Sequence, residues 1–168
     1  YHAPPQHHVY ARDARAFLNH TEATYDLIWA DAFARHLVPF HLTTEEFFSE
    51  LRSHLTPEGA LVVNLASSGT GGDLLRAQAV VETMKRSFPA IETYAVKGPW
   101  SSSSKAENLL FFAGKPVEQH GASDFADKVT VLVEQQRLPS EAIALLATRR
   151  TQPWPGGAVL TDDYAPYD

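Results

Sequence analysis

The stretch YDLIWADAFARHLVPFHLTTEEFF, residues 25–48, holds the reading on which the fold turns. Tyr25 to Ala30 is an almost wholly apolar run, and it ends at a single carboxylate, Asp31. Such a run predicts a strand covered on both faces, as in parallel sheets. After a loop, Thr43 and Glu46 form a Thr-x-x-Glu capping box, with Leu42 and Phe47 at the hydrophobic-staple positions around it. Phe47, Phe48, Leu51 and Leu55 then recur on one helical face.

Working outward, TPEG (56–59) reads as a turn and ALVVNLA (60–66) as the next buried strand. Its polar exit, SSGTGGD (67–73), leads into a helix with Leu74, Ala77, Val81, Met84 and Phe88 at three-four spacing. Ile91–Val96 and Asn108–Ala113 are two further strands, joined by the Gly/Pro/Ser loop KGPWSSSSKAE. Upstream, His8–Ala11 is a short strand that gives way at Asp13 to a helix from Ala14. Asp124–Gln136 and Ser140–Thr148 read as helices with Ser123 and Ser140 as N-caps. The expected organisation is one Rossmann-like unit over 1–150 and an irregular, Pro- and Gly-rich tail over 151–168. Strands alternating with helices predict an α/β fold with a parallel sheet, whose ligands bind at the carboxyl ends of the strands. Asp13, Asp31 and residues 64–68 are therefore expected on one rim.

Composition narrows the classes. The 168 residues suit one domain, and 44% hydrophobic with 20% charged residues is ordinary globular composition. A net charge of −6 argues against a nucleic-acid groove and mildly favours neutral or cationic ligands. The absence of Cys excludes disulfides and thiolate metal sites. No apolar run approaches the roughly 20 residues of a membrane helix, and no signal peptide is visible, so a cytoplasmic location is expected. The chain opens at Tyr1 and its single Met is Met84, inside a helical pattern. A piece of something longer is expected.

Asp31 is the sharpest candidate for chemistry. A carboxylate above a sheet can hold an ammonium group or accept a proton from it, although a strand-end Asp also serves to cap a loop. Asp13 reads first as the N-cap of the helix after it, a role compatible with accepting a hydrogen bond from a nucleotide base. Asp162 and Asp163 read as solvated loop acids rather than metal ligands. His2, His7, His8, His36 and His41 lack an HExxH arrangement and read as surface residues, so no metal is expected. SGTGGD lies between strand and helix but matches neither the Walker nor the dinucleotide pattern. Trp100 reads equally as a lid residue or an exposed aromatic, and no nucleophile-elbow pattern surrounds any serine.

The ordered series DARAFL (13–18), YDLIWADAF, VPFHLTTEEFF, LRSHLTPEGALVVNL and the tail LTDDYAPYD resembles the spermidine synthase (polyamine aminopropyltransferase) family. The resemblance runs from about Val9 to Phe112, with the tail as a separate match. It implies a class I methyltransferase-like Rossmann fold that moves an aminopropyl group from decarboxylated S-adenosylmethionine to putrescine, releasing methylthioadenosine. By resemblance, Asp13 contacts the adenine with Ala14 beside it. Asp31 matches the first acid of the family's Asp-x-x-Asp-Pro segment, which binds the amine and supplies the base. The second acid falls at Ala34, and Asn64 stands where the family often has Gln.

In that family a Gly-rich loop and a ribose-binding acid precede the matched region, on strands that lie between those ending at Asp13 and Asp31. The sheet of this chain is therefore expected to lack its first strands and that loop, and the isolated 168 residues to bind no nucleoside. The partner implied is a small amine, with no nucleic acid. A homodimer and an upstream membrane or N-terminal region in the intact protein both stay open. Two other readings stand beside aminopropyl transfer: an S-adenosylmethionine-dependent methyltransferase, and a non-catalytic domain of the same fold.

Overall fold

A computed structural model describes residues 7–32, 38–67, 70, 72–97 and 108–164. Among the described residues, four strands form one sheet in the order β1-β2-β4-β3, where β1 is Tyr25–Ala30, β2 Leu55–Ala66, β3 Ile91–Val96 and β4 Asn108–Gly114. The sheet is mixed rather than all parallel: β1 and β2 run parallel, while β4 is antiparallel to both β2 and β3. The β1–β2 crossover carries the helix α2 (Glu45–Ser53), and β2 connects to β3 through α3 (Gly72–Met84). β3 and β4 follow one another among the strands and pair antiparallel.

Side-chain alternation gives the sheet two different faces. One face presents Leu61, Val63, Leu65, Leu109, Phe111 and Ala113, all buried in the main core. Phe47, Phe48 and Leu51 of α2 and Ala77, Val80, Val81 and Met84 of α3 complete that core, with Phe88 just beyond α3. Leu55 belongs to β2 and not, as the spacing suggested, to the helix. On the other face Tyr94 and Phe112 stack with Phe125 of a long helix, α4 (Lys115–Glu134), at centroid separations of 5.4 to 6.0 Å. A short helix, α5 (Glu141–Leu146), packs beside α4 and β3.

Several expectations shift. His8–Ala11 is exposed and forms no strand, since nothing among the described residues pairs with it. The cap of α2 is Thr44, whose hydroxyl accepts from the Phe47 amide at 3.4 Å; Thr43 instead donates to the Phe40 carbonyl, and Glu46 accepts from the Asp162 amide, so the expected Thr43–Glu46 capping box does not form. TPEG lies inside β2, at the break in register between Tyr25↔Leu55 and Leu27↔Ala60. Gly59 fits there because an added Cβ would meet the Thr56 and Tyr25 carbonyl oxygens at 3.0 Å. Ser123 sits within α4, which starts at Lys115 with Pro in its first turn and Gly114 at the cap position. Ser140 does precede α5, but its hydroxyl bonds the Glu141 carboxylate rather than capping an amide. The serine loop after Lys97 and Trp100 lie outside the described residues.

Residues 151–160 contain no helix or strand, yet they are tied to the sheet and to α3. Trp154 donates to the Thr93 hydroxyl at 3.0 Å, and the Leu160 amide to the buried Thr83 hydroxyl at 2.8 Å. Gly157 crosses α3 so closely that a Cβ would lie 2.8 Å from the Gln78 carbonyl carbon.

Candidate functional site

The carboxyl ends of β1 and β2 lie side by side, because Ala30 pairs with Val63 in register. The next residues, Asp31 and Asn64, then point to the same face of the sheet. Asn64 Nδ2 donates to Asp31 Oδ1 at 2.9 Å, which fixes the direction of the exposed carboxylate. Asn64 Oδ1 is buried and has no hydrogen-bond partner among the described residues. A buried amide oxygen left without a donor costs about 1–3 kcal/mol. The exposed Asp31 carboxylate, held at the strand tip by Asn64, suits an ammonium group.

Both residues open onto a groove of about 830 Å³ that wraps the outer edge of β1. Its opposite wall comes from residues 8–23, and includes Tyr10, Ala14, Phe17 and Leu18. Ala14 is the first residue of the short helix α1 (Ala14–Leu18). The groove therefore brings Asp31, Asn64 and Ala14 together, while Asp13 itself does not line it.

Asp13 is the N-cap of α1, as the sequence suggested, its Oδ1 accepting from the Ala16 amide at 3.0 Å. Oδ2 meets His41 Nε2 at 2.8 Å. The Ala16 amide, and then the His41 hydrogen bond, hold the Asp13 carboxyl below its usual range. His41 was read only as a surface residue; spacing gave no signal, since 28 residues separate it from Asp13.

Asp162 is likewise no merely solvated acid. Arg15 grips it through both terminal nitrogens at 2.7 and 2.6 Å, and Thr44 adds its hydroxyl at 2.8 Å. Arg15 foremost, then Thr44, holds the Asp162 carboxyl below the usual carboxylate range. Arg15 Nε also approaches Glu50 at 3.6 Å, so α1, α2 and the tail converge on one guanidinium. Asp163 stays exposed. Ala34, the position of the family's second acid, lies outside the described residues. Among the described residues, no group of three or more His, Asp or Glu could hold a metal ion, and no helix is long and apolar enough to cross a membrane.

No family model matches the chain. Among curated proteins it is 29% identical over 167 residues to a probable polyamine aminopropyl transferase of Bifidobacterium longum (strain NCC 2705), covering 93% of this chain and 36% of that protein. It is 33% identical over 148 residues to a polyamine aminopropyltransferase of Synechococcus sp. (strain JA-3-3Ab), covering 77% of this chain and 47% of the relative. A third, from Synechococcus sp. (strain JA-2-3B'a(2-13)), is 32% identical over 146 residues. The chain thus spans about a third to a half of the length of the curated relatives it matches.

Among solved structures, a probable spermidine synthase from Corynebacterium glutamicum ATCC 13032 superposes with a TM-score of 0.59 at 19% identity, over 94% of this chain and 55% of that one. Human methyltransferase-like protein 13, in complex with SAH, gives 0.60 at 20% identity, over 79% and 60%. At those identities the structures establish the fold, which is the methyltransferase-like Rossmann type expected from the sequence. The likeness to polyamine aminopropyltransferases read from the motifs is borne out by the curated relatives.

Proposed function

We propose, from this kinship with the polyamine aminopropyltransferases, that the chain carries the amine-binding half of a spermidine-synthase-like transferase. The intact enzyme would move an aminopropyl group from decarboxylated S-adenosylmethionine to putrescine or a related amine. The observation that carries the reading is the Asp31–Asn64 pair at the strand tips, which opens onto the groove.

The chemistry follows from charge. A primary amine is protonated near neutral pH and has no lone pair to attack with. Asp31, oriented by Asn64 Nδ2, attracts the ammonium and receives the proton as the nitrogen is freed. The nitrogen then attacks the propyl carbon next to the sulfonium. A C–N bond forms, the C–S bond breaks, and its electrons stay on sulfur, leaving neutral methylthioadenosine. Asp31 in this reading is the catalytic residue, and Asp13 and Ala14 face the adenosyl group. No metal is needed for this displacement, because the sulfonium is already an activated leaving group.

The test uses the intact protein with decarboxylated S-adenosylmethionine and putrescine, following methylthioadenosine release. Asp31→Asn should lower kcat/KM by at least about 100-fold, the range expected for losing a positioned general base. Asn64→Ala removes the amide donor that orients Asp31 and should mainly raise the amine KM, by about tenfold. If putrescine is neither bound nor consumed while S-adenosylmethionine is turned over with a methyl acceptor, the aminopropyl reading fails.

A further inference from the structure

The edge of β3, across the sheet from Asp31, carries two adjacent arginines that are used differently. Residues 148–150 lie along that edge: the Arg150 amide donates to the Thr93 carbonyl at 2.8 Å, and the Ala95 amide to that of Thr148 at 3.1 Å. Arg149 is committed to Glu92, with Nε and Nη2 on its two carboxylate oxygens at 2.5 and 2.9 Å. Arg150 is not: among the described residues its guanidinium has neither a carboxylate nor a hydrogen-bond acceptor. The chain holds 20 acidic residues against 14 Lys and Arg, so a partner acid is not scarce.

The uncompensated cation is held in place all the same. It lies over the Trp154 ring, 4.2 Å from the centroid. That ring is fixed in turn, by Nε1 donating to the Thr93 hydroxyl at 3.0 Å and by an edge contact with Phe111. Stacking on an aromatic face leaves the N–H edge of the guanidinium fork free, and a fork already positioned loses little entropy when it takes up an anion. Arg150 and Trp154 wall a cavity of about 350 Å³ between the start of β3, the end of α3 and residues 149–154, a volume that suits a small molecule. Ile91 and Pro153 give it apolar wall, and Gln152 a further amide. Glu92 also lines it, but Arg149 neutralises that charge.

We propose that this cavity binds a small molecule through an oxyanion, a carboxylate or phosphate group that the Arg150 fork grips, with the apolar remainder against Ile91 and Pro153. Both oxyanions match the two parallel N–H bonds of a guanidinium. The site is separate from the groove at Asp31. β1 and β3 stand at opposite ends of the strand order and run in the same direction, and the cavity adjoins the start of β3 while Asp31 follows the end of β1. An occupant here leaves the groove open. The proposal is independent of which group Asp31 serves.

The test is a titration of the intact protein, labelled with nitrogen-15 at Trp and Arg, with inorganic phosphate or with benzoate at constant ionic strength. The Trp154 indole N–H and the Arg150 Nε–H report on the cavity by NMR. A saturable shift of both signals with either probe supports the proposal, and the tighter probe names the head group. Arg150→Gln should weaken that binding by at least about tenfold, the scale of one lost charge-assisted pair. Arg137→Gln, at an exposed arginine beyond α4, should leave it unchanged. Shifts that never saturate with either probe, or that are the same in Arg150→Gln, overturn the proposal. If Arg150→Gln fails to fold, Arg150→Lys is read in its place, since it keeps the charge and loses the fork. Weaker binding in that variant supports the proposal, and unchanged binding overturns it.

Discussion

At the scale of single residues, the molecule separates two kinds of carboxylate. Asp31 keeps an exposed carboxylate with one amide donor, whereas Asp162 is saturated by Arg15 and Thr44. Asp162 therefore acts on stability rather than on ligands. Its folded pKa is depressed below 3.8, so its contribution is complete above its unfolded pKa and is lost as pH falls through the folded value. Asp13 has the same sign. Thermal melting from pH 7 to pH 2 should show Asp162→Asn below the wild type at neutral pH, with the gap closing below about pH 4. A gap that stays constant with pH would show that the ion pair contributes nothing through charge. Asp31 was legible because a strand tip isolates it in sequence. Asn64, His41 and Arg15 gain their meaning only from partners that folding brings near.

At the scale of elements, the strands were the legible part. Apolar runs at 25–30, 60–66, 91–96 and 108–113 locate all four, because burial on a sheet demands them. Boundaries near turns were not legible, since one residue's shift of a cap costs little: Thr43 and Thr44 are both plausible caps, and only packing selects Thr44. α4 was read as starting nine residues too late because HGASD (120–124) looks like a helix start, yet the helix runs through it from Lys115. The most demanding junction is Gly114, with φ +99° and no room, since a Cβ would lie 2.5 Å from the Gly59 carbonyl oxygen. Gly114→Ala should cost at least about 1–3 kcal/mol in urea unfolding, from backbone strain alone. Thr44→Ala removes the α2 cap and one bond to Asp162, and should cost about 1–2 kcal/mol by the same measurement.

At the scale of the whole molecule, the fold class was readable because alternating strands and helices allow few architectures. The reversal of β4 was not, since nothing in its own side chains encodes direction. Nor was the open edge of β1, because an apolar run reads as buried whether or not its neighbour is in hand. If the nucleoside needs a wall that these residues do not carry, the 168-residue chain alone should show no heat of binding with methylthioadenosine. Tight binding by calorimetry would refute that.

The Arg15–Asp162 clasp has one further consequence, because it joins positions 147 residues apart. The entropic cost of closing a loop grows only with the logarithm of its length, so the ring is cheap to hold once the core exists. Proteolytic trimming of residues beyond Leu160 should therefore be felt at the far end of the chain, as a loosened α1, with the central sheet unaffected.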